Sequence, residues 1–223
     1  MAAEHEGVME PLQVTAHMRG FVESSHPIHL DSLLAASVAR RRGMPERIAT
    51  AGDIETIEIP LQLEPGGRFH MASAAHAGRV LASRLEHIHK RAPHEWYTVL
   101  CGDGVKRVNM GEEPDKSWRV PRHGYLYDRL TWWCAGDADA IRDLLRGVIH
   151  VGARRRHGIG RVARLEVEPC ESWDGFPVVR DGKPLRNLPL DYPGLGERVP
   201  QRVLRLTFPY YLGDGKEMLA CPT

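Results

Sequence analysis

Between Tyr125 and Val167 the hydrophobic period changes twice, and this double switch does most to constrain the fold. Tyr125 to Ala135 is dense in aromatic and branched residues, the composition of a strand. Asp137 then stands where a helix N-cap belongs, and Ala138, Ile141, Leu144, Leu145 and Val148 share one face at helical spacing. Gly152 is the expected stop of that helix. Beyond a glycine- and arginine-rich stretch, Val162, Leu165 and Val167 predict another strand. Such a strand–helix–strand unit buries one sheet face under its helix.

The same order occurs near the N-terminus. Leu12, Val14, Ala16 and Met18 alternate within Pro11 to Val22, predicting a first strand, and Ser24-Ser25-His26-Pro27 is turn-like. Leu30, Leu33, Leu34 and Val38 repeat at helical spacing. Asp31 suits the first turn, the Arg40-Arg41-Arg42 triplet suits the last, and Gly43 is a stop. Ile57, Ile59, Leu61 and Leu63 predict a strand over Ile54 to Leu63, with Pro60 marking an edge or bulge. Pro65-Gly66-Gly67 reads as a turn, and Arg68 to Ala75 as the returning hairpin partner. Residues from about His76 to His123 read as an insertion with a helix over Gly78 to Arg91. The tail predicts a strand at Val203 to Phe208, then Pro209-Tyr210-Tyr211 within an ordered C-terminal hairpin. The resulting expectation is an α+β, ferredoxin-like or RNA-recognition-like domain over residues 11–223, following a disordered N-terminus at 1–10. Its sheet carries two helices on one face and leaves the other free for RNA or a partner.

Charge narrows the function. The chain has 223 residues and a formal net charge of +1, so any attraction to nucleic acid must come from a local patch. The four cysteines, Cys101, Cys134, Cys170 and Cys221, form no C-x-x-C pair, which argues against a zinc knuckle or redox motif and suits a reducing cytoplasm. No apolar run approaches a membrane span, and the polar, acidic Met1 to Glu10 does not have the shape of a signal peptide. The expectation is a cytoplasmic protein without membrane contact, cofactor or metal.

The candidate patch is Gly152-Ala153-Arg154-Arg155-Arg156-His157-Gly158-Ile159-Gly160-Arg161. Its glycines allow sharp bends and close approach to a ligand, and successive backbone N–H groups in such a turn can point at an anion. Four arginines and a histidine add charge and stacking planes. The run follows a helix and lacks a Gly-Lys-Ser/Thr ending, so it is no Walker loop; nor does it match a dinucleotide G-x-G-x-x-G. Taken alone, it is equally a basic helix cap. Three consecutive arginines between tight glycines nevertheless exceed what capping requires.

Other constellations are weaker. His87 and His89, two apart, share a face only on a strand, and no carboxylate or cysteine lies at metal-supporting spacing. His17, His26, His29 and His157 are candidate acids or bases if the chain cleaves RNA, though surface or RNA-contacting roles suit each of them. Trp132-Trp133 on a strand sends one ring to each side: one to the core, the other to the core under the insertion, a partner, or a base. Arg40, Arg41 and Arg42 read as a solvated helix end that can extend a phosphate track.

The run from Leu130 to Val167, with Gly136-Asp137, Leu144-Leu145 and then Gly152-x-x-Arg155-x-x-Gly158-x-Gly160-x-Val162, resembles the glycine-rich-loop signature of CRISPR-associated RAMP proteins. His29-Leu30-Asp31-Ser32-Leu33-Leu34-Ala35, Pro184-Leu185-Arg186-Asn187-Leu188-Pro189 and Pro209-Tyr210-Tyr211 resemble the group-5 subunit of type IV CRISPR effector complexes. The resemblance implies a non-catalytic guide-RNA-binding subunit of ferredoxin-like fold. Such a subunit holds the crRNA 5′ handle and caps the backbone filament beside a backbone subunit and the large subunit, near target DNA at the PAM-proximal end. It also implies a thumb-like role for the insertion at about 76–123. The RNA-binding residues expected are Gly152, Arg154, Arg155, Arg156, His157, Gly158, Gly160 and Arg161, extended by Arg40, Arg41, Arg42 and His26, with no catalytic residue. The alternative is a RAMP-class, metal-independent endoribonuclease that processes precursor crRNA.

Overall fold

The computed structural model describes residues 9–24, 26–44, 57–90, 118–210 and 215–222. Strand β1 (Glu10–Met18) lies at the centre. Leu12, Val14 and Ala16 are fully buried on one of its faces, so the predicted alternation becomes the inside–outside alternation of the sheet. Its first helix, α1 (Leu30–Arg41), leads through residues 57–75 to the two-residue strand β2 (His76–Ala77).

From there a long antiparallel hairpin departs: β3 (Val80–Lys90) and β4 (Trp118–Tyr127), with Val80 opposite Tyr127 and Lys90 opposite Trp118. The chain returns as β5 (Arg129–Gly136), helix α2 (Ala138–Leu145) and β6 (Val162–Pro169). The sheet order is β2-β5-β1-β6, with every neighbouring pair antiparallel. The fold is mixed α/β, and its strand order and two crossovers are consistent with the expected RNA-recognition-like domain.

Both helices pack on one sheet face. Leu30 and Leu34 of α1 and Ile141 of α2 are buried with Leu12, Val14, Trp132 and Val167 in one continuous core. Asp137 caps α2, its carboxylate accepting from the backbone N–H of Asp139 (2.9 Å) and Ala140 (3.0 Å), as its position predicted. Trp132 is fully buried with its indole N–H on the Ile28 carbonyl (2.8 Å), and Trp133 faces the opposite side.

A second layer forms from β7 (Val179–Arg180), β8 (Lys183–Pro184), β9 (Leu188–Pro189), β10 (Gln201–Arg205) and β11 (Lys216–Ala220). β10 and β11 make the C-terminal hairpin, bordered by β9. Phe69, Val178, Val179 and Leu188 make its small core.

Four sequence expectations are corrected. The helix over Gly78 to Arg91 is strand β3. Leu81 and Leu85 lie four apart and imitate a helical stripe, but no core faces them, and both remain about half exposed (49% and 53%). The strand predicted for Ile54 to Leu63 is, over its described residues 57–63, an extended segment with isolated bridges from Leu61 to Gly136 and Leu63 to His70. Pro60 lacks the N–H that a continuous ladder needs there. Helix α2 ends at Leu145, well before Gly152, because Val148 folds back with its N–H on the Leu145 carbonyl (2.9 Å). Tyr125 to Ala135 is the end of one strand and most of the next, divided at Asp128. The N-terminal segment expected to be disordered lies, apart from Met9 and Glu10, outside the described residues.

Candidate nucleic-acid interface

The Gly152–Arg161 loop is closed at its base. The Val151 N–H donates to the Gly160 carbonyl (2.9 Å), the Val162 N–H to the Ile149 carbonyl (3.0 Å), and His150 bridges Arg161. Two glycines are dictated by contact. A Cβ on Gly160 would fall 1.7 Å from the Val151 carbonyl oxygen, and one on Gly152 2.8 Å from that of Glu23; both residues have positive φ. Arg154 also adopts the left-handed conformation (φ 60°), just before a single 3-10 turn over Arg155–His157.

The inner side of the loop docks on the segment after β1. The Gly160 N–H donates to the Phe21 carbonyl (2.7 Å), the Ala153 N–H to the Glu23 carbonyl (2.7 Å), and the Arg161 carbonyl accepts from Arg19 (2.8 Å) and Gly20 (3.1 Å). The buried Ile159 side chain pins the same side. Within the turn, the His157 N–H is held by the Arg154 carbonyl (2.8 Å) and the Gly158 N–H by that of Arg155 (3.0 Å). The N–H groups of Ala153, His157, Gly158 and Gly160 therefore all have protein acceptors. The outward side carries Arg155, His157 and Arg161, all exposed. Side-chain charge is what the loop offers to an anion.

Arg154 points inward. Its guanidinium lies 3.7 Å from Glu23, whose carboxylate is only 4% exposed. Arg84 of β3 approaches the same carboxylate at 3.7 Å and also lies 4.6 Å over the Phe21 ring. Among the described residues neither Glu23 oxygen has a hydrogen-bond partner, and the two cations meet it as ion pairs. Glu23 thereby joins the loop to the hairpin, a link that nothing in the local sequence signals. The Arg156 side chain lies outside the described residues.

The other expected contacts are arranged differently. Arg40 donates to the Gly147 carbonyl (3.0 Å) and Arg41 pairs with Asp143, so these cations tie the end of α1 to α2. Their hold on Asp143 through Arg41 draws its carboxyl below the usual range. Arg42 and His26 are exposed. His29 is buried, stacked on Tyr210 with ring centroids 4.1 Å apart, and burial lowers its pKa to about 3. His17 lies on the helix-free sheet face, its Nε2 2.8 Å from Glu166. His87 and His89 do share a strand face, and no group of side chains fit to hold a metal occurs among the described residues.

The quoted family runs converge on one buried node. Asp31, Arg186 and Tyr210 meet beneath the α1 N-terminus: Arg186 Nη2 is 3.3 Å from Asp31, and the Tyr210 hydroxyl donates to Asp31 at 2.8 Å. This node positions the start of α1 against the C-terminal layer.

Antiparallel strands with two helices on one face among the described residues, and an arginine-bearing loop after α2, make a mixed α/β domain consistent with an RNA-recognition-like fold. Residues 118–213 match the family model described as CRISPR type IV associated protein Csf3, and over that segment the chain is similar to that family. The match spans β4 to the C-terminal layer, including the whole loop, and bears out the resemblance to the group-5 RAMP subunit of type IV systems. No curated protein matches the chain. Among the described residues, no helix is long and apolar enough to cross a membrane.

Proposed function

We propose that this protein is a non-catalytic guide-RNA-binding subunit of a type IV CRISPR effector complex, holding the crRNA 5′ handle through the outward side of the Gly152–Arg161 loop. The observation that carries this reading is the docked loop itself. Its backbone is bound to Phe21, Glu23 and Val151, while Arg155, His157 and Arg161 remain exposed. A phosphate chain would meet cations whose backbone is already ordered, which lowers the entropy cost of binding. The β3–β4 hairpin, tied to the loop through Glu23, would act as the thumb. The position at the end of the filament, between backbone and large subunits and near the PAM, follows from the family resemblance.

The test is equilibrium binding of handle RNA as a function of salt. The double variant Arg155→Ala/Arg161→Ala is expected to bind more weakly and to lower the slope of log affinity against log salt by about two, one for each phosphate contact. An unchanged slope would remove the loop from the RNA path. The competing endoribonuclease reading has one arrangement in its favour: His17 beside Glu166, with Arg164 Nε 2.8 Å from the same carboxylate. Site-specific cleavage of repeat RNA that is lost in His17→Ala would overturn the non-catalytic reading.

A further inference from the structure

The sheet face opposite the helices holds an open cavity of about 510 Å³, within the size range of small-molecule sites. Its floor is a regular lattice, because three strands lie in register. Trp133, Gln13 and Glu168 form one row across β5, β1 and β6; Thr131, Thr15 and Glu166 form the next; Arg129, His17 and Arg164 form the third. Rows two residues apart along a strand are separated by about 7 Å.

The rows differ in chemistry from end to end. The first row offers an aromatic plane, an amide and a carboxylate. Trp133 is half-buried, with Trp173 edge-on at 5.7 Å and the Arg180 guanidinium 5.8 Å from its centroid. Glu168 is exposed and carries no hydrogen bond or ion pair among the described residues. The third row carries two arginines and a histidine, and its Glu166 neighbour is already engaged by His17 and Arg164. Arg129 is exposed there without an ion pair among the described residues.

We infer that this face is a second nucleotide site, separate from the loop, which takes one unstacked ribonucleotide whose base carries an exocyclic amino group. The base lies on Trp133 with Arg180 moving aside from its place 5.8 Å over that ring, its amino group donates to Glu168, and its phosphate lies toward Arg129, His17 and Arg164. Stacking accepts any base. Glu168, as an ionised carboxylate, only accepts hydrogen bonds, so it selects amino-bearing edges and disfavours uracil, whose single N–H lies between two carbonyls. The inference does not depend on the loop: phosphate contacts there are blind to base identity, so a base preference reports this face alone.

The probes are labelled hexamers of adenosine and uridine, with AMP and UMP as competitors, bound to the full chain and read by fluorescence anisotropy. The adenosine hexamer is expected to bind about tenfold tighter than the uridine hexamer. Glu168→Gln should abolish that preference, and Trp133→Ala should weaken adenosine binding about tenfold while Trp133→Phe retains most of it. AMP competing at concentrations similar to the hexamer would make the ligand a free nucleotide, and competition by the hexamer alone would make it a nucleotide of an RNA strand. Equal binding of the two hexamers by the wild type, or a preference unchanged by Glu168→Gln, overturns the inference. If Trp133→Ala does not fold, the Glu168→Gln result decides.

Discussion

Asp31 and Arg186, 155 positions apart in the chain, meet at 3.3 Å with both side chains excluded from solvent. Arg186 also donates to the carbonyls of His70, Ala72 (3.2 Å) and Leu206 (2.9 Å) and to the Tyr210 hydroxyl (3.0 Å), with its guanidinium 4.6 Å over Phe69. One planar fork thus links α1, the segment before β2 and the C-terminal layer. Arg186→Met is expected to destabilise the fold by about 3–5 kcal/mol, since it leaves a buried carboxylate and several carbonyls without partners. Arg186→Lys should recover little, because an ammonium cannot reach that set of acceptors together. Urea denaturation midpoints check both; a Lys variant as stable as the wild type would show that charge, not the fork, is what the node needs.

His29 gives stability a pH dependence of defined sign. Burial depresses its folded pKa to about 3, below the ordinary value of 6.5. Above pH 6.5 the neutral ring costs nothing in either state. As the pH falls below 6.5 the unfolded chain takes up a proton that the folded chain refuses, and stability is lost progressively down to about pH 3. The slope from this residue approaches ~1.4 kcal/mol per pH unit. His29→Phe should remove that component while keeping the stack on Tyr210, as measured by urea unfolding at pH 7 and pH 5. An equal loss in both proteins would mean that other groups dominate.

The loop glycines should rank by their surroundings. Gly160→Ala places a Cβ against the Val151 carbonyl and is expected to cost at least about 2 kcal/mol. Gly158 has φ +73° but open space around it, so Gly158→Ala should cost only about 1 kcal/mol. Thermal melts of the two variants give the comparison, and a reversed order would contradict the docked loop geometry.

Neighbouring arginines should behave differently. Arg155 is exposed, so Arg155→Ala should leave the melting temperature unchanged and weaken RNA binding with a lower salt slope. Arg154 faces Glu23, so Arg154→Ala should lower the melting temperature by leaving that buried carboxylate with Arg84 as its nearby cation. Melting curves and salt titrations on both variants separate the roles; equal thermal effects would place Arg154 outside the Glu23 cluster.

Much of the fold was legible because short-range periodicity reports burial directly. Leu12, Val14 and Ala16 alternate and are buried; Ile141, Leu144 and Leu145 repeat at helical spacing and face the core. The loop stood out by composition. Its division into an inward Arg154 and an outward Arg155 did not, because that depends on a left-handed residue and on a carboxylate more than a hundred positions away. Strand β3, whose sequence predicts a helix, shows the same limit from the other side: a strand stabilised by its partner needs no apolar face of its own.

By itself, then, the sequence determined the strand around Leu12 to Met18, the helices that begin at Leu30 and Ala138, the cap at Asp137 and the place of the arginine-rich loop, all properties carried by residues within a few positions of one another. Only the tertiary structure decided which charges are available. Arg40, Arg41, Arg154 and Arg186 are drawn to carbonyls and carboxylates distant in the chain, while Arg155, His157 and Arg161 are left outward. The physical reason is that a cation takes whatever acceptor the folded chain places beside it, and that neighbour is chosen by topology, not by local spacing.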